Sequence, residues 1–156
     1  MSEPIILRAE DPIIKSLKFK TFRSNATRLV RLFMPGPDEP QEVDLQTTWG
    51  ATLTAQKGDY IVSELDKPND GWPVEKEIFE ESYEIIEPGI CVKRAITLLV
   101  PLEDVTGGNP NQGVTVVSLE GAETVKAGDF YLAKGVRDEI WAYPKGKAES
   151  VFVQVK

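Results

Sequence analysis

The residues able to do chemistry in this chain fall into an acidic, a basic and an aromatic group, and histidine is in none of them, because the sequence contains no histidine. Without imidazole there is no Ser-His or Cys-His nucleophile pair, no His-ligated zinc and no side chain that titrates near neutrality at its ordinary pKa. Carboxylate chemistry, a lysine nucleophile and a hard cation held by oxygens alone stay open. Asp59 follows Gly58 and, with Glu64, could serve a carboxylate-dependent hydrolase. An Asp after Gly and before a strand is, however, above all a turn former whose carboxylate caps nearby N–H groups. Asp66, Asn69 and Asp70 put hard oxygens in one short loop. Their spacing misses the alternating ligand pattern of a calcium loop, and no bidentate Glu follows at the right distance. Neither a metal nor an organic cofactor is expected.

The basic group is concentrated near the start. From Pro12 to Pro37 there are six bases (Lys15, Lys18, Lys20, Arg23, Arg28, Arg31) and no acid, so a +6 segment meets a −13 remainder in a chain of net charge −7. The aromatic group is Trp72, Phe79 and Tyr83, the last two beside an acidic helical pattern that carries six Glu between Glu75 and Glu87. Lys18, Lys20 and Arg23 with Trp72, Phe79 and Tyr83 form the predicted binding set for an anionic small molecule. Each half of that set also has a structural reading. The basic strand can pair with the acidic helix of its own chain, and the aromatic stripe can dock that helix on a sheet.

Bulk composition narrows the partners. The net negative charge argues against duplex nucleic acid, whose binding is driven by Lys and Arg neutralising phosphates. No apolar run reaches the ~20 residues that span a bilayer, and MSEPIILRAED lacks the basic-then-apolar order of a signal peptide, so no membrane partner and a cytoplasmic location are expected. The single cysteine, Cys91, sits between Ile90 and Val92 and reads as a core residue in a reducing compartment.

The elements that must position these groups are mostly strands. PIIKSLKFKTFR (12–23) alternates as a strand with Lys18 and Lys20 on one side and Leu17 and Phe19 on the other. SNATRLVRLFM reads as a second strand, and MPGPDEP as a loop. VDLQTTW and ATLTA form a hairpin candidate, QKGD a turn, YIVS a strand and LDKPNDG a loop. Pro73 opens a helix carried by VEKEIFEESYEII, with Val74, Ile78, Ser82 and Ile85 on one stripe. GICVKRAITLLVPL reads as one buried strand and GGNPNQG as a connection. Short strands follow in GVTVVSL, ETV, DFYLA, EIWAY and SVFVQV.

At residues 51–84 the string ATLTAQKGDYIV, the loop DGWPV and IFEESYE resemble the PGDYG-type small domain of short bacterial and phage proteins. That pattern runs alanine, Pro-Gly-Asp-Tyr, a short loop, Tyr-Pro-Val or Trp-Pro-Val, and Phe-x-x-Thr-Tyr-Glu. Lys57 stands at the proline and Ser82 at the threonine, and PIIKSLKF resembles the extended segment that opens those proteins. The resemblance covers about half the chain and implies no activity. The halves of the chain also echo each other: GATLTAQKGDYIV matches GAETVKAGDFYL, and V74-x-x-E-I-F79 matches V136-x-x-E-I-W141.

The expected fold is mainly β with a minor α+β character, a small barrel or two-sheet arrangement with one short helix and an internal duplication. It is expected as a single domain, with a PGDYG-like unit at about 12–87 and a second β-rich unit at about 90–156. The expected function is non-enzymatic binding of an anionic small molecule in a bacterial or phage accessory protein. Homo-oligomeric assembly through exposed β edges is the alternative, and the hydrolase the weaker third.

Overall fold

The computed structural model describes residues 3–24, 26–47, 52–68 and 70–155. The first elements are β1 (Ile5–Leu7), α1 (Ile13–Ser16), β2 (Lys20–Ser24), β3 (Thr27–Leu32), β4 (Glu42–Gln46), β5 (Thr52–Gln56), β6 (Tyr60–Ser63) and β7 (Gly71–Val74). Next come α2 (Lys76–Ser82), β8 (Tyr83–Glu87), β9 (Ile90–Lys93) and β10 (Thr97–Pro101). The last are β11 (Gly113–Ser118), β12 (Gly121–Lys126), β13 (Phe130–Lys134), β14 (Ile140–Pro144), α3 (Lys145–Val151) and β15 (Phe152–Gln154). The fold is mainly β, and among the described residues no sheet closes into a barrel. Among the described residues there are three α-helices where the sequence suggested one.

The chain divides into two compact units, one made of Met1–Ser24 with Ile96–Lys156 and the other of Asn25–Ala95. In the contiguous unit, an antiparallel sheet runs β7-β6-β3-β9-β8. Alternation sorts its side chains by face. Val30, Val62 and Cys91 point to the side that α2 covers with Phe79, while Ile61 points to the side where Leu45 and Ala55 of the β4-β5 hairpin pack. Val43 and Leu45 pair with Ala55 and Leu53, so these four side chains share one face of the predicted hairpin.

The discontinuous unit repeats this plan. Its main sheet runs β14-β13-β10-β2-β15, again antiparallel throughout. One face meets the β1-β11-β12 sheet and Ile14 of α1 in a core that includes Leu7, Val100, Val114, Val116 and Leu132. On the other face, Lys145 and Lys147 of α3 lie over the rings of Tyr131 and Tyr143, and Phe152 meets Tyr143 edge-on at 5.2 Å. Each unit thus runs centre strand, hairpin, two strands, helix, edge strand. The difference lies in the strand on the far side of the centre, which is β9 in one unit and β2, from the beginning of the chain, in the other.

The two sequence echoes fare differently. The Gly-Asp echo falls on equivalent turns, where Lys57 N–H donates to Gln41 O and Ala127 N–H to Gln112 O, each at 2.9 Å. The second echo does not hold, since Ile78 and Phe79 lie in a helix and Ile140 and Trp141 in a strand. Two glycines are required by geometry. Gly58 has φ +96, open to glycine at little cost, and a Cβ on Gly128 would stand 2.6 Å from Pro110 Cβ.

Four predicted elements change. The segment 12–23 opens with α1 instead of strand. Pro12 has φ −58, Ser16 Oγ donates to Ile13 O, and adjacent Ile13 and Ile14 let one of them reach the core. Pro73 lies in β7, and α2 ends at Ser82, whose carbonyl accepts N–H groups from Arg94 at 2.7 Å and Ala95 at 3.0 Å. The next residues pair as a strand with β9. The single strand expected over 89–102 is two strands, β9 and β10, one in each unit. SVFVQV begins inside the last turn of α3, at Ser150 and Val151, so only Phe152–Gln154 is extended.

Candidate functional site

The α2-covered side of the contiguous unit gathers the aromatic half of the predicted set. Tyr60 and Phe79 stack at 4.0 Å with an interplanar angle of 20°, and Phe79 and Tyr83 at 4.9 Å and 5°. Phe79 is buried, while Trp72 and Tyr83 are half-buried at the edge of the same cluster. Strand pairing puts Val62 opposite Trp72 and Lys93 opposite Tyr83, and the Lys93 ammonium stands 5.8 Å from the Tyr83 ring centroid.

The residue that sequence reasoning passed over is Arg28. It stands opposite Cys91 on β3, on this same face, and is only 9 % exposed. Its guanidinium lies 5.7 Å from the Trp72 ring centroid. Among the described residues no carboxylate forms an ion pair with it. Cys91 does not neutralise it either. Burial pushes the thiol up to about 11 against the pull of Arg28, so at neutral pH the sulfur is an uncharged SH. A cation taken out of water with no charged partner costs several kcal/mol, in a chain with 25 acids to choose from. A ring-stacked guanidinium keeps its in-plane N–H fork for a carboxylate or phosphate. The signal in the sequence was Arg28 two residues before core Val30, which alternation places on the same face.

The basic half of the predicted set lies in the other unit. Lys18, Lys20 and Arg23 are exposed, and on β2 the side chains of Lys20 and Arg23 point to opposite faces because they are three residues apart. The structure therefore does not gather the three cations onto one strand face. Lys20 shares its face with Leu99, and Arg23 pairs across from Val153 on the other.

The acidic candidates separate as well. The Asp59 carboxylate accepts the Gln56 N–H at 2.9 Å, and Asp59 and Glu64 flank β6 at its two ends, about 16 Å apart along an extended strand. Carboxylate pairs that cooperate in hydrolysis stand within roughly 10 Å. Asn69 lies outside the described residues, so the oxygen-rich loop is described only at Asp66 and Asp70.

Burial raises the Asp59 pKa from its ordinary 3.8, and the Gln56 hydrogen bond opposes that rise. A raised carboxyl holds its proton more tightly folded than unfolded, so its contribution to stability is greatest below 3.8 and is lost as pH climbs through the folded value. Asp59→Asn keeps an acceptor for Gln56 and sheds the charge. It is expected to match or exceed the native protein in stability at neutral pH and to flatten the stability profile above pH 3.8, as read by denaturant melts. Asp59→Ala, which orphans the Gln56 N–H, is expected to lose about 1 kcal/mol.

Among the described residues, no helix is long and apolar enough to cross a membrane. Compared with protein-family models, curated proteins and solved structures, the chain matches none of them.

Proposed function

We propose that the protein is a non-enzymatic binding module that takes a small oxyanion, carboxylate or phosphate, on the Arg28 guanidinium beside Trp72. The observation that carries this reading is a nine-tenths buried arginine with an aromatic ring for company and, among the described residues, no ion pair to a carboxylate. On this reading the PGDYG-like segment supplies the scaffold, since it runs from β5 to the start of β8 and contributes Trp72, Phe79 and Tyr83. Thermal-shift measurements with inorganic phosphate, AMP and citrate test it. Arg28→Met is expected to abolish any ligand-induced shift while leaving the unliganded melting temperature equal or higher, because an apolar side chain of similar size replaces an uncompensated charge. A shift that survives in Arg28→Met would overturn the assignment, as would a large loss of unliganded stability. Loss of the shift only in Lys18→Glu with Lys20→Glu would move the anion to the other unit.

A second reading, homo-oligomeric assembly, is favoured by one observation. Edge strand β8 exposes adjacent isoleucines, Ile85 at 49 % and Ile86 at 48 %. Light scattering distinguishes it, with a mass well above 17.3 kDa expected if β8 pairs between copies.

A further inference from the structure

The discontinuous unit holds a cleft of about 150 Å³ bounded by Arg8, Glu10, Leu119, Glu139 and Ile140. Three chain segments shape it: the residues after β1, the β11-β12 turn and the start of β14. Its floor includes Ile140, only 1 % exposed, and its rim carries Leu119 at 55 %. The charges around it are of both signs. Among the described residues neither Arg8 nor Glu139 forms an ion pair.

Glu139 is held in place by its turn. Its carboxylate accepts the Arg137 N–H at 2.9 Å and occupies the space beside Gly135, where a Cβ would stand 2.6 Å from it. Gly135 N–H donates to Glu139 O and Asp138 N–H to Gly135 O, with Asp138 in the left-handed region at φ +63. These contacts fix the carboxylate of Glu139, one of the residues that line the cleft, against the 135–137 turn. The Arg8 segment is tied in the same way, its backbone N–H donating to the Asp11 carboxylate at 2.8 Å.

We propose that this cleft binds a small zwitterion, an α-amino acid of about six to eight heavy atoms, with its carboxylate on Arg8, its ammonium on Glu139 and its side chain against Ile140 and Leu119. Size and charge both select that class. A cavity of this volume accepts a molecule the size of benzene. A simple anion on Arg8 would face the charges of Glu10 and Glu139, and a simple cation on Glu139 would face Arg8. A ligand bearing both signs at adjacent atoms satisfies both walls.

Amide chemical-shift titrations of the full chain with L-alanine, acetate and methylammonium test this. Alanine is expected to shift the Arg8, Leu119 and Ile140 amides and saturate with a millimolar dissociation constant, the range open to so few atoms. Acetate and methylammonium are each expected to bind roughly tenfold more weakly or worse. Glu139→Gln keeps an oxygen for the Arg137 N–H and is expected to weaken alanine by a similar factor. The proposal is overturned if alanine does not saturate at these amides, if acetate binds as well as alanine, or if Glu139→Gln leaves alanine affinity unchanged. None of these outcomes depends on the anion site at Arg28, which lies in the other unit.

Discussion

Phe79→Ala is expected to lower the stability of the contiguous unit by about 3–5 kcal/mol. Phe79 is 2 % exposed, touches the sheet core at Val30, Val62 and Cys91, and is stacked between Tyr60 and Tyr83. Truncation removes a ring from between two others and leaves a cavity that α2, only Lys76–Ser82 long, has few other anchors to close. Apart from Phe79, its buried residues are Ile78 and Ser82. Hydrogen exchange reads the effect locally, with β3, β6 and β9 amides expected to exchange faster by a factor of roughly a hundred to several thousand. Phe79→Leu, which retains most of the volume, should lose much less. A loss below about 1 kcal/mol for the alanine variant would mean that the stacked column is not what docks the helix.

The second large effect concerns connectivity. In the discontinuous unit Phe22 pairs with Thr97, and in the contiguous unit Thr27 pairs with Val92. Each unit therefore brings its own two junction points close together, the arrangement that tolerates domain insertion. Replacing residues 25–94 with Asn-Gly preserves the register, because Ser24 falls opposite Ala95 and a two-residue turn joins β2 to β10 as a hairpin. That shortened chain is expected to keep the slow amide exchange of β10, β11 and β13, and an isolated 25–95 fragment is expected to melt cooperatively. A one-residue linker should do far worse, since it would turn β2 over and send Phe22 to the wrong face. Loss of structure in both pieces would show that neither unit stands by itself.

How much of this was legible in the sequence depended on how local the deciding physics was. YIVS, the hairpin at VDLQ and TLTA, and the strands of GVTVVS and FYLAK could be read because alternation and turn residues suffice for them. The switch from α2 to β8 could not, because FEESYEII keeps its helical stripe to the end. The switch is made by Arg94 and Ala95, a dozen residues downstream, which take the Ser82 carbonyl, and by pairing with β9. The run from Ile90 to Pro101 reads as one strand because its apolar content is continuous, and nothing local tells that Arg94 to Ile96 is a crossing between two units. The aromatic half of the site was visible as types and spacing. For Arg28 alternation gives only the face it shares with Val30; its burial depends on a strand sixty residues away, whereas the conspicuous lysines proved to be solvent-facing.

The origin of β2 has a consequence for how the molecule is made. Synthesis proceeds from the N-terminus, so the contiguous unit is complete once Ala95 has emerged, whereas β2 must wait for β10 and β15 to reach it. An unpaired strand in waiting is an invitation to aggregate. This one carries Lys20 and Arg23 around Phe22, and Lys18 and Phe19 lie just before it, so charges of one sign are spaced along the segment like gatekeepers. Like charges along this segment oppose edge-to-edge pairing with other chains during the interval before its partners exist.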